Sequence, residues 1–235
     1  MIDALLAQVQ IRERSGQTCV QENGFCPDWI RDNFADHYTD PFWEHVYLTL
    51  VSVGIGFAIA FTLAVIAHRR RWLTGPITAV TGALYTVPSI AAFLLLLPIT
   101  GRGNKTAIVA LVSYTLLIIF RNITTGLRNV PADSVDAARG MGLTPRQILW
   151  RVELPLAIPE ILAGLRIAIT TTVGLATLAF FAGGGGLGQA IYSDIHFKSN
   201  VVAAGGLAVL LAAVLDLFVL FLQRLVTPWR RAAAT

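Results

Sequence analysis

Five long apolar stretches constrain this chain more than any other feature of its sequence. An α-helix needs about 20 mostly apolar residues to cross a bilayer, and five stretches are long enough. They lie at residues 46–67, 76–99, 105–126, 156–182 and 201–225. Charged residues make up only 14% of the chain, whereas a soluble domain has about 25%. We therefore predict an all-α, polytopic membrane protein with about five transmembrane helices. Arg121 interrupts the third stretch, so we expect 105–120 to be its embedded part.

The arginines predict the orientation of these spans. If the spans alternate in direction, eleven arginines fall on one side of the membrane: Arg69, Arg70, Arg71, Arg121, Arg128, Arg139, Arg146, Arg151, Arg224, Arg230 and Arg231. The other side receives few basic residues and an N-terminal segment with eight acidic ones. Positive charge near span ends marks the cytoplasmic side. We expect a multi-pass protein of the cytoplasmic (inner) membrane, with its N-terminus outside and its C-terminus in the cytoplasm.

These spans divide the chain into three parts. Residues 1–45 are predicted to be an extracytoplasmic N-terminal tail, 46–226 a transmembrane domain, and 227–235 a cytoplasmic C-terminal tail. Apolar residues recur at helical spacing near the start of the chain, at Ile2, Leu5, Leu6 and Val9, which is typical of a helix lying in the membrane interface. The alternative is an unstructured polar tail.

The two cysteines, Cys19 and Cys26, both lie in this tail. Outside the cytoplasm a disulfide between them can persist. Two free thiols are the alternative. A zinc site completed by His37 and His45 is less favoured, because the histidine spacing differs from that of the usual zinc fingers. We therefore predict a disulfide and no metal site.

The polar segment at about 129–155 carries strong helix-capping signals. We expect Asn129 to cap a first short helix, with Pro131 in its first turn, and Gly140 and Gly142 to end it in a left-handed backbone. Thr144 and Gln147 form the pattern of a capping box for a second helix that starts at Pro145. Pro155 and Pro159 are expected to break the chain before the fourth span. Two short capped helices hinged by glycine would form a protruding knob.

The same segment resembles a known docking loop. Asp136-Ala137-Ala138 is followed after three residues by Gly142 and, nine residues later, by Val152-Glu153-Leu154-Pro155. This spacing resembles the "EAA" loop of ATP-binding-cassette (ABC) importer permeases. The chain departs from it at Asp136, where the family has Glu, and at Val152, where it has Ile. The resemblance implies a type I ABC importer permease fold with cytoplasmic coupling helices. It assigns contact with the ATPase to Asp136, Ala137, Ala138, Gly142, Val152, Leu154 and Pro155.

Three shorter motifs are similar to the permeases for glycine betaine, carnitine, choline and related osmoprotectants. They are Glu44-His45-Val46-Tyr47-Leu48-Thr49, Thr86-Val87-Pro88-Ser89-Ile90 and Gly185-Gly186-Leu187-Gly188. Together they favour a permease that imports such quaternary amines. The nearest alternative is a permease for methionine or another amino acid, which shares the EAA loop and five spans.

The resemblance also implies partners. The glycine run at 183–188 lacks the Lys-Ser/Thr of a phosphate-binding loop, so we predict no ATPase site and no catalytic residues in this chain. ATP and Mg²⁺ are expected on separate ABC ATPase subunits. A second permease copy, identical or a paralogue, would complete the path by alternating access. An extracytoplasmic binding protein would deliver the substrate, the bilayer would surround the spans, and no nucleic acid is expected.

Two sets of residues are candidates for lining the path. Tyr85 and Pro88 lie at a proline break in the second span, where a helix can gate. Thr171 and Thr172 belong to a hydroxyl-rich part of the fourth span, and helix packing is their alternative role. Arg166 and Asp216 are ionisable residues inside predicted spans, and they either pair with each other or line the path.

Two other classes of membrane protein fit the sequence poorly. An intramembrane enzyme would need a His-Glu-x-x-His pair or a serine or aspartate dyad within the spans, and the four histidines all fall outside the predicted spans. A channel would need a selectivity filter, which nothing in the sequence resembles.

Overall fold

The computed structural model describes Cys19 and residues 23–228 of the chain, and all regular structure in that part is helical. We number the α-helices in chain order. They are α1 (Pro27–Arg69), α2 (Thr74–Thr86), α3 (Ser89–Thr100), α4 (Asn104–Arg128), α5 (Ala132–Gly140), α6 (Pro145–Ile148), α7 (Leu154–Ala176), α8 (Leu187–Ser193) and α9 (Lys198–Val226). Short 3₁₀ turns at Arg71–Leu73 and Ala179–Ala182 and a π-helical segment at Leu149–Glu153 connect some of them.

Helix α1 is much longer than the first predicted span. It has 43 residues, or about 65 Å at 1.5 Å per residue, whereas the hydrocarbon core of a bilayer is about 30 Å thick. The helix runs without interruption through the division drawn between residues 45 and 46, with Pro41 inside it. The aromatic stretch before residue 45 is therefore helical and partly packed, since Tyr38 is fully buried. The interfacial helix predicted around Ile2 to Val9 lies outside the described residues.

The second predicted span is broken into two helices. Helix α2 ends at Thr86 and α3 begins at Ser89, and their axes bend by 98° at the break. Pro88 has no N–H to donate to a preceding turn, which accounts for the break. By length and composition three described helices, α1, α4 and α9, can cross a membrane, and the bent pair makes up to four.

Helix α7 corresponds to the fourth predicted span. It has 23 residues and is about 34 Å long, it contains Glu160 and Arg166, and it is not among the three helices named above. The expectation of about five spans therefore depends on α7, in which Arg166 forms an ion pair with Asp216 of α9.

The core lies where α1, α4 and α7 pack together, and small residues set the spacing of the helices. A Cβ on Gly56 of α1 would lie 1.9 Å from Thr115 Oγ1 of α4, and a Cβ on Gly164 of α7 would lie 2.3 Å from Asn122 Cβ. Close approach of backbones at small residues is typical of helices in membranes. The main apolar cluster around these contacts contains Ala60, Ala64, Ile119, Phe120, Ile123, Leu154, Ala157 and Ala168.

Candidate coupling loop and translocation path

Helix α5 ends in a glycine cap that turns the chain sharply. Gly142 has φ +80°, its N–H donates to Arg139 O at 2.9 Å, and the N–H of Leu143 donates to Ala138 O at 3.2 Å. These two bonds form a Schellman motif, which requires a left-handed residue at the glycine position. The left-handed backbone predicted at Gly142 is confirmed, whereas Gly140 remains helical.

Helix α6 begins with the predicted capping box. Thr144 N–H donates to Gln147 Oε1 at 2.8 Å, and Gln147 N–H donates to Thr144 Oγ1 at 3.4 Å. Pro145 occupies the first helical position, where a missing N–H costs nothing. The two caps fix the angle between α5 and α6, so the knob predicted from the sequence is an ordered structure.

Two local predictions for this loop were wrong. Asn129 does not cap α5. It ends α4 in a helical conformation and its N–H donates to Thr125 O at 3.0 Å, whereas a capping residue must leave the helical region. Pro131 stands at that position, and no side chain caps α5.

Pro155 and Pro159 do not break the chain. The π-helical segment carries the backbone from α6 into α7, with Pro155 in the first turn of α7 and Pro159 inside it. Proline is tolerated in a first turn, and a π-segment changes the hydrogen-bond register without ending a helix. Residues 145–176 therefore form one continuous helical rod, which is about 45 Å long.

The predicted coupling residues divide into an outward and an inward group. Asp136, Ala137 and Gly142 are exposed, and Asp136 Oδ1 accepts from Arg139 Nη1 at 2.9 Å on the surface. The remaining predicted residues lie on the inner side: Ala138 and Leu154 are buried, and Val152 and Pro155 are partly buried. The inner group positions the knob and leaves the outer group free for contact.

The sequence interpretation did not single out Met141. Its side chain is 73% exposed at the turn between α5 and α6. Its position next to the exposed Gly142 makes it a further candidate for contact with a partner. The signal was available, because Met141 lies inside the matched motif.

A second omission is the contact that fixes the knob to α1. His68 Nε2 lies 3.0 Å from Glu153 Oε2, which joins the end of α1 to the π-helical segment. A cavity of about 590 Å³ lies beside this pair, and its lining includes Arg71, Thr124, Arg128 and Asp136. Nothing in the sequence pairs residues 68 and 153, because only the tertiary structure brings them together.

The path candidates fall into two places. Tyr85 lies in the last turn of α2 and Pro88 lies at the break, and both are exposed. Tyr114 of α4 supports this break: its hydroxyl donates to Val87 O at 2.5 Å, and its ring lies edge-on to Tyr85 with the ring centres 5.9 Å apart. Helix α4 therefore contacts the break directly.

Thr171 and Thr172 lie on α7 and differ from each other. Thr172 is 1% exposed, and its hydroxyl donates to Ala168 O at 2.6 Å. Thr171 is partly exposed. The buried position of Thr172 favours the packing alternative for this residue, and Thr171 remains a candidate for the path.

Arg166 and Asp216 form an ion pair between α7 and α9. Arg166 Nε donates to Asp216 Oδ1 and Nη2 donates to Oδ2, each at 2.7 Å. Two parallel bonds of this kind are the strongest arrangement of Arg with a carboxylate. The pair keeps both charges satisfied within the helical bundle.

The N-terminal cysteines are joined, and their loop is tied to α9. Cys19 and Cys26 form a disulfide with their Cα atoms 5.9 Å apart. Cys26 N–H donates to Ser199 Oγ at 2.7 Å, and Ser199 Oγ donates to Gly24 O at 3.1 Å. Among the described residues no cluster of three or more His, Cys, Asp or Glu side chains could hold a metal ion.

The fold and the loop together define a class of protein: a helical membrane subunit that presents a rigid, doubly capped knob on one face. Residues 52–232 match the family described as "Binding-protein-dependent transport system inner membrane component", and the chain belongs to this family. It is a transmembrane permease subunit of an ABC importer, and such a permease works with an ATPase subunit.

Curated relatives cover most of the chain. The choline transport system permease protein OpuBB of Bacillus subtilis is 37% identical over 79% of this chain and 87% of its own length. The osmoprotectant import permease protein OsmW of Salmonella typhimurium is 36% identical over 85% of this chain and 96% of its own length.

Solved structures agree with this assignment. The inward-facing MetNI methionine ABC transporter has a chain that matches with a TM-score of 0.70 and 27% identity, over 82% of this chain and 96% of that chain. An amino acid ABC transporter matches with a TM-score of 0.71 at 16% identity, over 83% of this chain and 97% of that chain. The fold is therefore that of ABC importer permeases, as the EAA resemblance implied.

Proposed function

We propose that this permease carries compact osmoprotectants with a quaternary ammonium group, such as glycine betaine, choline or carnitine. The observation that carries the proposal is the set of curated relatives at 30–37% identity, which are named as permeases for choline, carnitine, glycine betaine or osmoprotectants. The aromatic pair Tyr85 and Tyr114 at the helix break supports it, because a cation is attracted to the face of an aromatic ring.

ATP-driven movement enters through the knob. Asp136, Ala137, Met141 and Gly142 are the exposed surface that contacts an ABC ATPase subunit, which binds ATP and Mg²⁺. The knob continues into α7 without a break, so a displacement of α6 moves the whole rod. Rigid transmission is supported by the capping box and the Schellman motif, which leave the knob little freedom to move independently.

We expect ATP to be hydrolysed on a separate subunit and not on this chain. Backbone N–H groups of the glycine run at 183–188 form hydrogen bonds with side chains of the protein: Gly185 N–H donates to Asn104 Oδ1 and Gly186 N–H donates to Glu44 Oε2. A phosphate cradle needs such N–H groups free to face the ligand. This use of the glycine run supports a separate ATPase as the source of energy.

The complete transporter contains further partners. A second permease copy, identical or a paralogue, completes the path, and an extracytoplasmic binding protein delivers the substrate. Helix α9 exposes a long apolar face that contains Val209, Leu210, Val214, Leu217, Phe218 and Phe221, which suits contact with lipid or with another membrane subunit.

In the proposed orientation, the knob lies in the cytoplasm and the N-terminal segment lies outside. The concentration of arginines near α5 and α6 supports it. An impermeant maleimide tests it in intact cells: a cysteine replacing Arg146 should resist labelling, and a cysteine replacing Asp32 should react. The reverse pattern would overturn the orientation.

Uptake by proteoliposomes that contain the assembled transporter tests the substrate. We expect uptake of labelled glycine betaine, choline or carnitine that requires ATP and the binding protein. The competing hypothesis is a methionine importer, which the structural similarity to MetNI favours. Uptake of methionine without any quaternary amine would reject our proposal.

A further inference from the structure

We propose that Glu44, His45 and Asn104 form a latch that holds the glycine loop, residues 183–188, together with the end of α7, and closes the end of the path opposite the coupling knob. These three are positioning residues for transport. The inference rests on the proposed function, because it assumes that α7 moves during transport. It joins two of the motifs quoted above, 44–49 and 185–188, which lie far apart in the sequence.

The latch is a network of hydrogen bonds among three elements. Glu44 of α1 accepts from Asn104 Nδ2 of α4 at 2.6 Å with one carboxylate oxygen, and from Gly186 N–H at 3.1 Å with the other. Asn104 Oδ1 accepts from Gly185 N–H at 3.3 Å. Both oxygens of Glu44 and both polar atoms of the Asn104 amide thus have partners. These bonds join the loop to α1 and α4.

The loop fits the latch because it lacks side chains. A Cβ on Gly185 would lie 1.8 Å from Glu44 Oε2, and a Cβ on Gly188 would lie 1.9 Å from Thr177 O. Gly186 has φ +87°, and a Cβ there would lie 3.1 Å from His45 Nδ1. Contact with the latch therefore requires glycine at position 185, the latch contact and the positive φ together favour it at 186, and the backbone of Thr177 requires it at 188.

His45 secures the end of α7 itself. It is fully buried, and its Nε2 lies 3.1 Å from Val173 O in the last turn of α7. A carbonyl oxygen only accepts, so Nε2 donates, and this bond satisfies one of the carbonyls that a helix end leaves without a partner. His45 Nδ1 has no partner and faces the glycine loop.

These contacts place the latch at one end of a rod whose other end is the knob. Residues 145–176 connect the two ends, and the glycine loop follows α7 in the chain. If the knob moves α7 along α1, the hydrogen bonds that His45, Glu44 and Asn104 make to α7 and the loop are strained. In the transport cycle, release of the latch opens the end of the path from which substrate enters, and its formation closes that end again.

An exchange of the two polar side chains tests the latch. Asn104→Asp places a second carboxylate against Glu44 and should break it. In the double variant Glu44→Gln with Asn104→Asp, the amide introduced at position 44 donates to the carboxylate introduced at position 104. One oxygen of each new side chain still accepts from Gly186 or Gly185. Thr62→Val is the control, because the Thr62 hydroxyl is exposed and bonds only within its own helix.

The direct readout is maleimide labelling of a cysteine placed at Ala182, a fully buried residue just before the loop. In the assembled transporter without ATP, Asn104→Asp should label about tenfold faster, the ratio expected when a hydrogen bond to a charged group is lost. The double exchange should return labelling and maximal transport rate toward the parent values. If Asn104→Asp fails to accumulate in membranes, Glu44→Gln alone serves as the weakened latch.

Two results would overturn the latch. Labelling of the weakened variant at the parent rate would show that these bonds do not hold the loop. Equal defects in the single variant and the double exchange would show that pairing is not the cause. Labelling requires no transported substrate, so a transporter that carries methionine would reject the proposed function while leaving the latch open to this test.

Discussion

His68 Nε2 lies 3.0 Å from Glu153 Oε2, and this pair holds the end of α1 against the start of the rod. Toward the other end of α1, His45 donates to Val173 O near the end of α7. Residues 45–68 of α1 therefore run antiparallel to 153–173 of the rod, over about 30 Å. While both contacts are formed, this part of α1 moves with the rod, so a displacement that begins at the knob either carries α1 with it or breaks the contact at His45.

The pair at the knob end is expected to matter for coupling. Glu153→Gln removes the charge of a partly buried hydrogen-bonded group, which costs about 1–3 kcal/mol in the contact. We expect fewer substrate molecules transported per ATP hydrolysed, with insertion into the membrane unchanged. Asp28→Asn is the control, since Asp28 is an exposed carboxylate at the opposite end of α1. An unchanged ratio would show that the pair is structural only.

Gly142→Val should disrupt the knob. Nothing lies within 4 Å of a Cβ at this position, so the effect comes from φ +80° alone, and we expect about 1–3 kcal/mol of strain. The variant should insert normally but lose co-purification with the ATPase or lose transport. Gly140→Ala is the control, because Gly140 is helical and a Cβ added there would also meet nothing within 4 Å. Normal transport by Gly142→Val would contradict the docking role of the loop.

The pair of Arg166 and Asp216 should show strong non-additivity. Asp216→Leu leaves an unpaired guanidinium in the bundle, and removal of one partner from a buried pair costs about 3–5 kcal/mol. Both side chains are partly exposed, Arg166 by 30% and Asp216 by 27%. We therefore expect the loss of stability to be about 3 kcal/mol or less. The double variant with Arg166→Met should recover most of the thermal stability in detergent. Equal losses in the single and double variants would exclude pairing as the reason.

Thr49 offers a test of an unsatisfied hydroxyl. It is fully buried, and its Oγ1 has no hydrogen-bond partner. Thr49→Val should therefore leave the free energy of unfolding unchanged or raise it by about 1 kcal/mol, since no hydrogen bond is lost. Thr172→Val removes a hydroxyl that donates to Ala168 O and should lower stability. A loss for Thr49→Val as large as that for Thr172→Val would show that Thr49 has a partner such as a buried water.

Tyr85 is expected to act through its ring. Tyr85→Ala should slow transport of a quaternary amine without changing which amine is preferred, because the binding protein makes the main selection. Tyr85→Phe keeps the aromatic face that attracts a cation and should transport at nearly the parent rate. Uptake assays with glycine betaine and choline in competition measure both quantities. A changed preference in Tyr85→Ala would place specificity in the permease instead.

Local signals in the sequence determined a large part of this structure. Apolar length predicted the helical membrane fold, and the left-handed Gly142 and the Thr144–Gln147 capping box follow from short-range backbone chemistry. The break at Pro88 follows from a missing N–H. Such features depend on residues within about one helical turn of each other, so they can be read without knowledge of the fold.

Only the tertiary structure decided the features that depend on distant residues. The continuity of the rod through Pro155 and Pro159 depends on a π-helical segment that no local rule predicts, and α1 extends past residue 45 partly because Tyr38 donates to Asn200 Oδ1 of α9. The contacts of His68 with Glu153 and of Glu44 with Gly186 join residues 85 and 142 positions apart. A hydrogen bond between helices depends on where packing places each side chain, and packing is a property of the whole bundle.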